Sequence, residues 1–349
     1  MNKEYKTVDE QIKYLKDNKK IIVKDEHKNI FEERNYSSLI NPYKEFFSNG
    51  RDENGNHIYV KEIDFEEILK IIKVDDDFCT TMYTYIGVFE KKFKAVLFSE
   101  ICKKYIDCDQ EDKTCTCYVD EINEFLNNED LDKLPRFCLN YPFTLSKKGY
   151  VTDEFNLERK KNLLVHIKEL GTGLTNDGNK VEKTNQLISH YLKTQTIAPL
   201  WVIPNSLALG ELKILFSMLD SDSQKRIVSK FYNDKKPESI TLANVLSFSG
   251  SLEIIRRIRN VVNHYEPIFP LLVSELKPAR KIKESKLYSV FKLLSKTFAE
   301  STFNNITYVD LGLEINDFNL KYIKIFARIF SRISIVKKNK KQTISDPLV

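Results

Sequence analysis

A chain of 349 residues is long enough for two domains and for a sizeable buried core. Glycine and proline number only 10 each, and this scarcity of helix breakers favours long helices over a turn-rich β architecture. The balance of 42% hydrophobic and 30% charged residues is that of a globular protein, while a net charge of +5 is too small to establish a nucleic-acid partner.

The N-terminal third is predicted to be helical. Thr7 followed by Glu10 has the pattern of a capping box, in which two side chains satisfy free amides at the start of a helix. Further helices are predicted over residues 25–35, 64–73 and 78–106. The segment 49–56, rich in Gly, Asn and Asp, is predicted to be a loop.

Four of the six cysteines are crowded between Cys102 and Cys117, which suggests a zinc site. However, Cys115 and Cys117 are closer than in the usual Cys-x2-Cys knuckle, and no histidine lies nearby. Reduced thiols in a cytoplasmic protein are the favoured interpretation, and no metal or other cofactor is expected. The N-terminus lacks the apolar core of a signal peptide, and no apolar run approaches the roughly 18 residues needed to span a bilayer.

The central and C-terminal parts are also predicted to be mostly α. Helices are predicted near residues 119–128, 153–170, 181–193, 207–220, 222–232, 251–265, 284–300 and 317–335, with a more strand-like stretch at 306–313. The region from Leu271 to Lys341 holds 15 Lys and Arg against 6 Asp and Glu. Such a region can attract a polyanion by neutralising its phosphates, although solvated helix faces explain the same charge equally well.

The helix predicted over residues 251–265 has two contrasting faces. At about 100° per residue, its apolar side chains form a stripe predicted to be buried, which comprises Ile254, Ile258, Val261, Val262 and Tyr265. The opposite face is polar and consists of Arg256, Arg259, Asn260 and Asn263, with His264 at its edge. Cations, amides and one imidazole are thereby predicted to share one surface.

This combination suits the cleavage of RNA without a metal ion. The attacking 2′-hydroxyl must lose a proton and the leaving 5′-oxygen must gain one, and histidine suits proton transfer because its ordinary pKa is about 6.5. Arginine keeps its charge and can grip phosphate oxygens as negative charge develops. Arg259 and His264 are therefore the candidate catalytic residues, and the expected products carry 2′,3′-cyclic phosphate and 5′-hydroxyl ends.

On an ideal helix Arg259 and His264 diverge by about 140°, so a single helix does not readily aim both side chains at one phosphate. Either the helix distorts before Pro267, or two copies of the motif meet across a two-fold axis and share one cleft. The dimer is the favoured solution. A simpler alternative is that both residues decorate a solvated helix end, where His264 interacts with the helix dipole.

The Arg259-Asn260-x3-His264 pattern resembles the Arg-x4-6-His signature of HEPN ribonucleases, in the Arg-Asn form of Abi-type abortive-infection proteins of the AbiD/AbiF group. Further blocks resemble the same family in the same order, at residues 11–15, 34–43, 64–75, 90–94 and 199–212. The resemblance extends over residues 7–270. One departure is the loss of the arginine that ends the family's Phe-Asp-x-x-Leu-Arg block, which begins here at Val74.

The resemblance implies a HEPN-type helical bundle with additional N-terminal and C-terminal helical segments. The implied domains are an N-terminal helical segment over residues 1–60, an Abi-type HEPN domain over 61–270 and a basic extension over 271–349. It also implies a homodimeric, metal-independent endoribonuclease of an abortive-infection or toxin–antitoxin phage-defence system. RNA is the implied substrate, and a structured noncoding RNA is an implied regulator. A catalytically inactive RNA-binding or sensing scaffold is the alternative function.

Glu90 and Lys94 resemble the polar pair that HEPN proteins carry near the Arg/His helix, and they stand four residues apart in an otherwise apolar segment. They are expected to support the site together with Asn260, Asn263 and Arg256. The alternative is an ordinary surface ion pair that contributes little. The remaining histidines have no catalytic constellation evident in the sequence, namely His27, His57, His166 and His190.

Overall fold

The computed structural model describes residues 5–48, 50–59, 61–106, 114–181, 185–232, 236–276 and 286–299. Within these ranges the protein is mostly α, with thirteen α-helices and two small pairs of strands. This confirms the fold class that the composition and patterning predict. No helix in the described ranges combines the length and the apolar character needed to cross a membrane.

The helices, in chain order, are α1 (Val8–Lys19), α2 (Lys28–Glu33), α3 (Tyr36–Leu39), α4 (Lys44–Phe47), α5 (Phe65–Ile106), α6 (Tyr118–Asn128), α7 (Leu157–Thr172), α8 (Gln186–Thr194), α9 (Leu209–Met218), α10 (Ser221–Ser229), α11 (Leu242–Asn263), α12 (Phe269–Leu276) and α13 (Lys286–Ala299). The strands are β1 (Ile21–Ile22), paired in parallel with β2 (Ile63–Asp64), and β3 (Phe143–Ser146), paired in antiparallel with β4 (Gly149–Thr152).

The start of α1 matches its sequence pattern. The Glu10 carboxylate accepts a hydrogen bond from the Thr7 amide at 2.8 Å, and the Thr7 hydroxyl oxygen accepts one from the Glu10 amide at 3.4 Å. The predicted capping box is therefore confirmed, and it satisfies amides that the first helical turn leaves without partners.

Residues 65–73 and 78–106 belong to one helix, α5, so the prediction of two separate helices is wrong. The predicted break fell at Asp75, Asp76 and Asp77, because these acids interrupt the apolar pattern. In the structure Asp75 is only 1% exposed and lies on the buried stripe between Ile72 and Phe78. The helix continues because no proline or glycine breaks it there, and a carboxylate occupies a core position that an apolar residue would normally fill.

The other predicted helices within the described residues agree with the structure in type and differ at their ends. Helices α6 to α10 and α13 confirm the predicted helices in their regions, whereas α11 begins at Leu242, well before its predicted start. The hairpin of β3 and β4 was not predicted. The helix predicted at 317–335 and the strand-like stretch at 306–313 lie outside the described residues.

The chain divides into two compact units, of which the first comprises Met1–Ile86 and Arg257–Val349. Its core contains buried side chains from α1, α5, α11 and α12. Phe31 packs against Phe65 with ring centroids 5.1 Å apart, and Tyr43 meets Phe269 edge to face at 6.3 Å. The N-terminal segment, the first part of α5 and the chain after the motif are thus packed together.

The second unit comprises Gly87–Arg256 and is organised around a cluster of phenylalanines. The neighbouring rings have centroids 5.1 to 6.4 Å apart and belong to Phe89, Phe93, Phe216, Phe231 and Phe248. Lys160 is also buried here, because its ammonium group pairs with Asp153 at 2.9 Å and donates to the carbonyls of Tyr141 and Phe143. This buried cation fixes α7 to the start of the hairpin.

Candidate active site

Helix α11 ends in a tight turn that includes His264. The Glu266 amide donates to the Val261 carbonyl at 3.0 Å, and the Tyr265 amide donates to the Val262 carbonyl at 3.2 Å. This pair of bonds is the Schellman motif, which satisfies carbonyls at the end of a helix. Its turning residue, Tyr265, has φ of 53°, in the left-handed region. His264 therefore immediately precedes the residue with the left-handed backbone.

Tyr265 does not belong to the buried stripe, and the prediction that it does is wrong. Ile254, Ile258 and Val262 are each at most 5% exposed, whereas Tyr265 is 95% exposed. The physical reason is that the left-handed backbone turns the chain away from the helix before Tyr265 can complete the stripe. This conformation costs an L-residue roughly 1–2 kcal/mol, and glycine is its usual occupant at a helix end.

The two candidate catalytic residues lie at this end of α11, where Arg259 is half-buried and His264 is exposed. The His264 amide still donates to the Asn260 carbonyl at 3.1 Å, so the helical separation of about 140° from Arg259 persists. Among the described residues, no hydrogen bond or ion pair joins the Arg259 guanidinium to the His264 ring. Asn260 is exposed and Asn263 is half-buried. One copy of the chain does not bring the two catalytic candidates together.

A buried carboxylate holds the segment that follows His264. Asp75 Oδ2 accepts hydrogen bonds from the Tyr43 hydroxyl at 2.7 Å and the Ile268 amide at 3.1 Å, and Oδ1 accepts one from the Phe269 amide at 3.1 Å. These amides stand at the start of α12, where a helix lacks internal partners for its N–H groups. Burial raises the pKa of Asp75 to about 6, against the opposing effect of the three hydrogen bonds.

Two arginines on the preceding turn of α11 are engaged in ion pairs, each within its own unit. Arg257 pairs with Glu275 of α12 in the first unit. In the second unit the Glu253 carboxylate receives Arg256 at 2.6 Å and Lys213 at 2.5 Å. The hydrogen bond from Arg256, followed by the effects of Lys213, lowers the pKa of Glu253 to about 2. Arg256, predicted to face phosphate, is thus paired with an acid in this structure.

Glu90 and Lys94 form the predicted pair on α5, with the carboxylate and ammonium groups 3.0 Å apart. Their side chains are only 20% or less exposed, so this pair is better shielded from water than an ordinary surface ion pair. Their role in supporting catalysis remains a prediction.

His166 has a partner that the sequence did not reveal. Its Nδ1 lies 2.7 Å from Glu211 Oε1, and this hydrogen bond raises the pKa of His166. Burial opposes ionisation of Glu211, yet bonds from His166 and the Ala208 amide lower the pKa of Glu211, and the charge of Lys94 adds to this. A separation of 45 residues hides this pairing from any local pattern.

A family model described as Abi-like protein matches residues 29–270, more than half of the chain. No curated protein and no solved structure matches the chain. The matched range contains Asp75 and all the candidate site residues from Glu90 to His264.

Proposed function

The chain belongs to the Abi-like family of abortive-infection proteins, and from this membership and the motif at the end of α11 we propose that it is a HEPN-type, metal-independent endoribonuclease. It acts in the cytoplasm, in an abortive-infection or toxin–antitoxin system that defends against phage. The observation that carries the proposal is the exposed end of α11, where Arg259 and His264 stand five residues apart with no acid between them.

In the proposed reaction His264 moves the protons and Arg259 stabilises the charge. The exposed imidazole takes the proton of a ribose 2′-hydroxyl, whose oxygen attacks the adjacent phosphorus. The bond to the 5′-oxygen breaks, and an imidazolium supplies the proton that this leaving group needs. The Arg259 guanidinium donates hydrogen bonds to phosphate oxygens as their negative charge grows. The products carry 2′,3′-cyclic phosphate and 5′-hydroxyl ends.

A homodimer supplies the geometry that one chain lacks. A two-fold axis through the exposed helix ends would place two arginines and two histidines around a single scissile bond. Asn260 and Asn263, on the same polar face, would then reach phosphate oxygens beside them. Glu90 and Lys94 are assigned a supporting role in this proposal.

The first test compares RNA cleavage by the wild type, Arg259→Ala and His264→Ala in EDTA. Both variants are expected to lose at least about 100-fold in rate, because each removes a group that acts in the transition state. His190→Ala is the matched control, since this second exposed histidine should leave the rate unchanged. Full activity in His264→Ala, or cleavage that EDTA abolishes, contradicts the proposal.

The dimer is tested by mixing the two inactive variants. A heterodimer of Arg259→Ala with His264→Ala retains one arginine and one histidine in the shared cleft, so the mixture is expected to regain part of the activity. A mixture that stays as inactive as its components, although the chains exchange, contradicts a shared site. Binding of RNA without cleavage by the wild type favours an inactive RNA-sensing scaffold instead.

A structured noncoding RNA is the proposed regulatory partner. The family resemblance and the 15 basic against 6 acidic residues over 271–341 support this assignment. Sequencing of RNA that copurifies with the protein expressed from its native operon tests it, and one enriched structured transcript is expected. Only bulk cellular RNA in proportion to its abundance contradicts it.

A further inference from the structure

A groove of about 740 Å³ lies in the first unit beside the turn that carries His264. One wall comes from the chain on both sides of His264, namely Val262 and Tyr265 to Pro267, and the other walls come from α5 and residues 33–43. The volume falls within the range of roughly 300–1,000 Å³ typical of small-ligand sites. No function assigned above uses this groove.

Two exposed tyrosines border the groove. Tyr265 is 95% exposed and Tyr83, on α5, is 61% exposed. In the described part of the chain neither ring stacks on another aromatic ring or a cation. Exposed aromatic faces of this kind are the surfaces on which proteins stack unpaired bases.

Tyr265 is also costly to keep where it stands. Its backbone is in the left-handed region, where glycine is unstrained, and its ring gains almost no burial in return. Strain that packing does not offset is characteristic of positions retained for binding or catalysis. Lys20 and Glu129 have the same backbone at other helix ends, so it is the exposure of the Tyr265 ring beside the groove that points to a ligand.

The charges of the groove indicate that its occupant is not a phosphate. Its lining includes three acids, Glu33, Asp76 and Glu266, and a single cation, Arg34. Arg34 already donates two hydrogen bonds to Asp76, at 2.6 and 3.3 Å. A phosphate would be repelled by this excess of negative charge, whereas an uncharged ring would not.

The remaining lining suits the edge of a nucleobase. It contains the hydroxyls of Ser38, Thr80 and Thr84 and the amide of Asn35. The three hydroxyls donate to the carbonyls of Asn35, Asp76 and Thr80, which leaves their oxygens as acceptors toward a base. The Asn35 side-chain NH₂ group supplies a donor, so the lining offers both kinds of partner that a base edge requires. Stacking faces and polar walls are thus combined next to the proposed catalytic histidine.

We propose that this groove binds an unpaired base of the RNA, adjacent to the bond that is cleaved, with Tyr265 and Tyr83 stacking on it. The inference rests on the proposed ribonuclease function. It makes the protein selective for single-stranded RNA, because a base held in a duplex cannot enter the groove. The phosphate itself is left to Arg259, outside the acidic lining.

The test measures RNA binding separately from cleavage, by fluorescence anisotropy in EDTA with His264→Ala as the background. Into this background Tyr265→Gly and Tyr83→Ala are introduced, and each is expected to weaken binding of a labelled single-stranded oligoribonucleotide by about fivefold or more. Tyr265→Phe should bind normally because it keeps the ring. Phe155→Ala is the control, since Phe155 is a 99% exposed ring that lies outside the groove.

Three results overturn the proposal. Unchanged affinity in Tyr265→Gly and Tyr83→Ala shows that the rings do not stack on bases. An equal loss of affinity for a blunt RNA duplex shows that the groove does not select unpaired bases. Conversion of a dimer to a monomer by Tyr265→Gly, seen by light scattering, assigns the groove to a second copy of the chain.

The same ring substitutions, made in a protein that keeps His264, separate this inference from the nuclease proposal. Ring-dependent binding by a wild-type protein that does not cleave supports the groove and contradicts the nuclease. Unimpaired single-strand binding and cleavage by Tyr265→Gly and Tyr83→Ala support the nuclease and contradict the groove.

Discussion

Replacing Asp75 by asparagine tests how the segment after His264 is held. The carboxylate accepts hydrogen bonds from Tyr43, Ile268 and Phe269, and it is 1% exposed. Burial nevertheless raises its pKa from the ordinary 3.8 to about 6. The folded state therefore binds a proton at this group more tightly than the unfolded state does.

The sign and size of the effect follow from this difference in pKa. Since the folded-state pKa is raised, the extra stability of the protonated form is fully present below pH 3.8 and is lost as the pH rises through 6. When the pH is lowered from 8 to 5, Asp75 should add about 1.4 kcal/mol to the unfolding free energy of the wild type. The reason is that pH 5 lies one unit below the folded-state pKa, and one pH unit corresponds to about that energy. Asp75→Asn cannot titrate and should lack this gain.

The assay is urea unfolding of the wild type and Asp75→Asn at pH 5 and pH 8, followed by circular dichroism. The difference in unfolding free energy, wild type minus variant, is expected to be about 1.4 kcal/mol larger at pH 5. Other titrating groups cancel because both proteins contain them. Asp76→Asn replaces the exposed neighbouring acid and is the control. For this variant the difference from the wild type in unfolding free energy should vary by less than about 0.5 kcal/mol between pH 5 and pH 8. A difference that shrinks at pH 5 refutes the reasoning, since it means that the hydrogen bonds outweigh burial.

Three further predictions concern other buried or strained groups. Lys160→Met should destabilise the second unit by about 3–5 kcal/mol in urea unfolding, because it leaves the buried Asp153 carboxylate without its cation. A loss of unfolding free energy under about 1 kcal/mol contradicts the ion pair. Glu211→Gln should lower the pKa of His166 measured by NMR, and it should destabilise the protein more at pH 6 than at pH 8.5. The charged pair stabilises the fold fully below pH 6.5, and this stabilisation is lost as the pH rises through the raised pKa of His166; equal destabilisation at both pH values contradicts this. Tyr265→Gly should unfold at equal or higher urea concentration, with a gain of up to about 1 kcal/mol from the relieved backbone, and clear destabilisation shows that the ring does stabilise the fold.

Much of the helical architecture could be predicted from the sequence, because helix signals are local. The capping box at Thr7 and the apolar spacing of α6 to α10 depend on neighbours a few residues apart. The wrongly predicted break in α5 has the same origin. A local pattern treats Asp75 as an interruption, and only the distant amides of Ile268 and Phe269 explain why an acid is buried there.

The candidate site was predictable in part for a similar reason. Arg259 and His264 could be identified because their motif lies within one helix turn and a half. The pairing of His166 with Glu211 could not, since it depends on how α7 and α9 pack. The left-handed turn at Tyr265 could not be predicted either, because the usual signal for a Schellman motif is a glycine and this position holds a tyrosine.

The chemistry of the RNA ends tests the central claim most directly. Purified wild-type protein is incubated with a defined single-stranded RNA in EDTA, and the new ends are identified by mass spectrometry, with His264→Ala in parallel. The proposed mechanism predicts 2′,3′-cyclic phosphate and 5′-hydroxyl ends from the wild type and no cleavage by a folded His264→Ala protein. Ends with 3′-hydroxyl and 5′-phosphate groups, or the same cleavage by His264→Ala, would contradict a metal-independent ribonuclease built on Arg259 and His264.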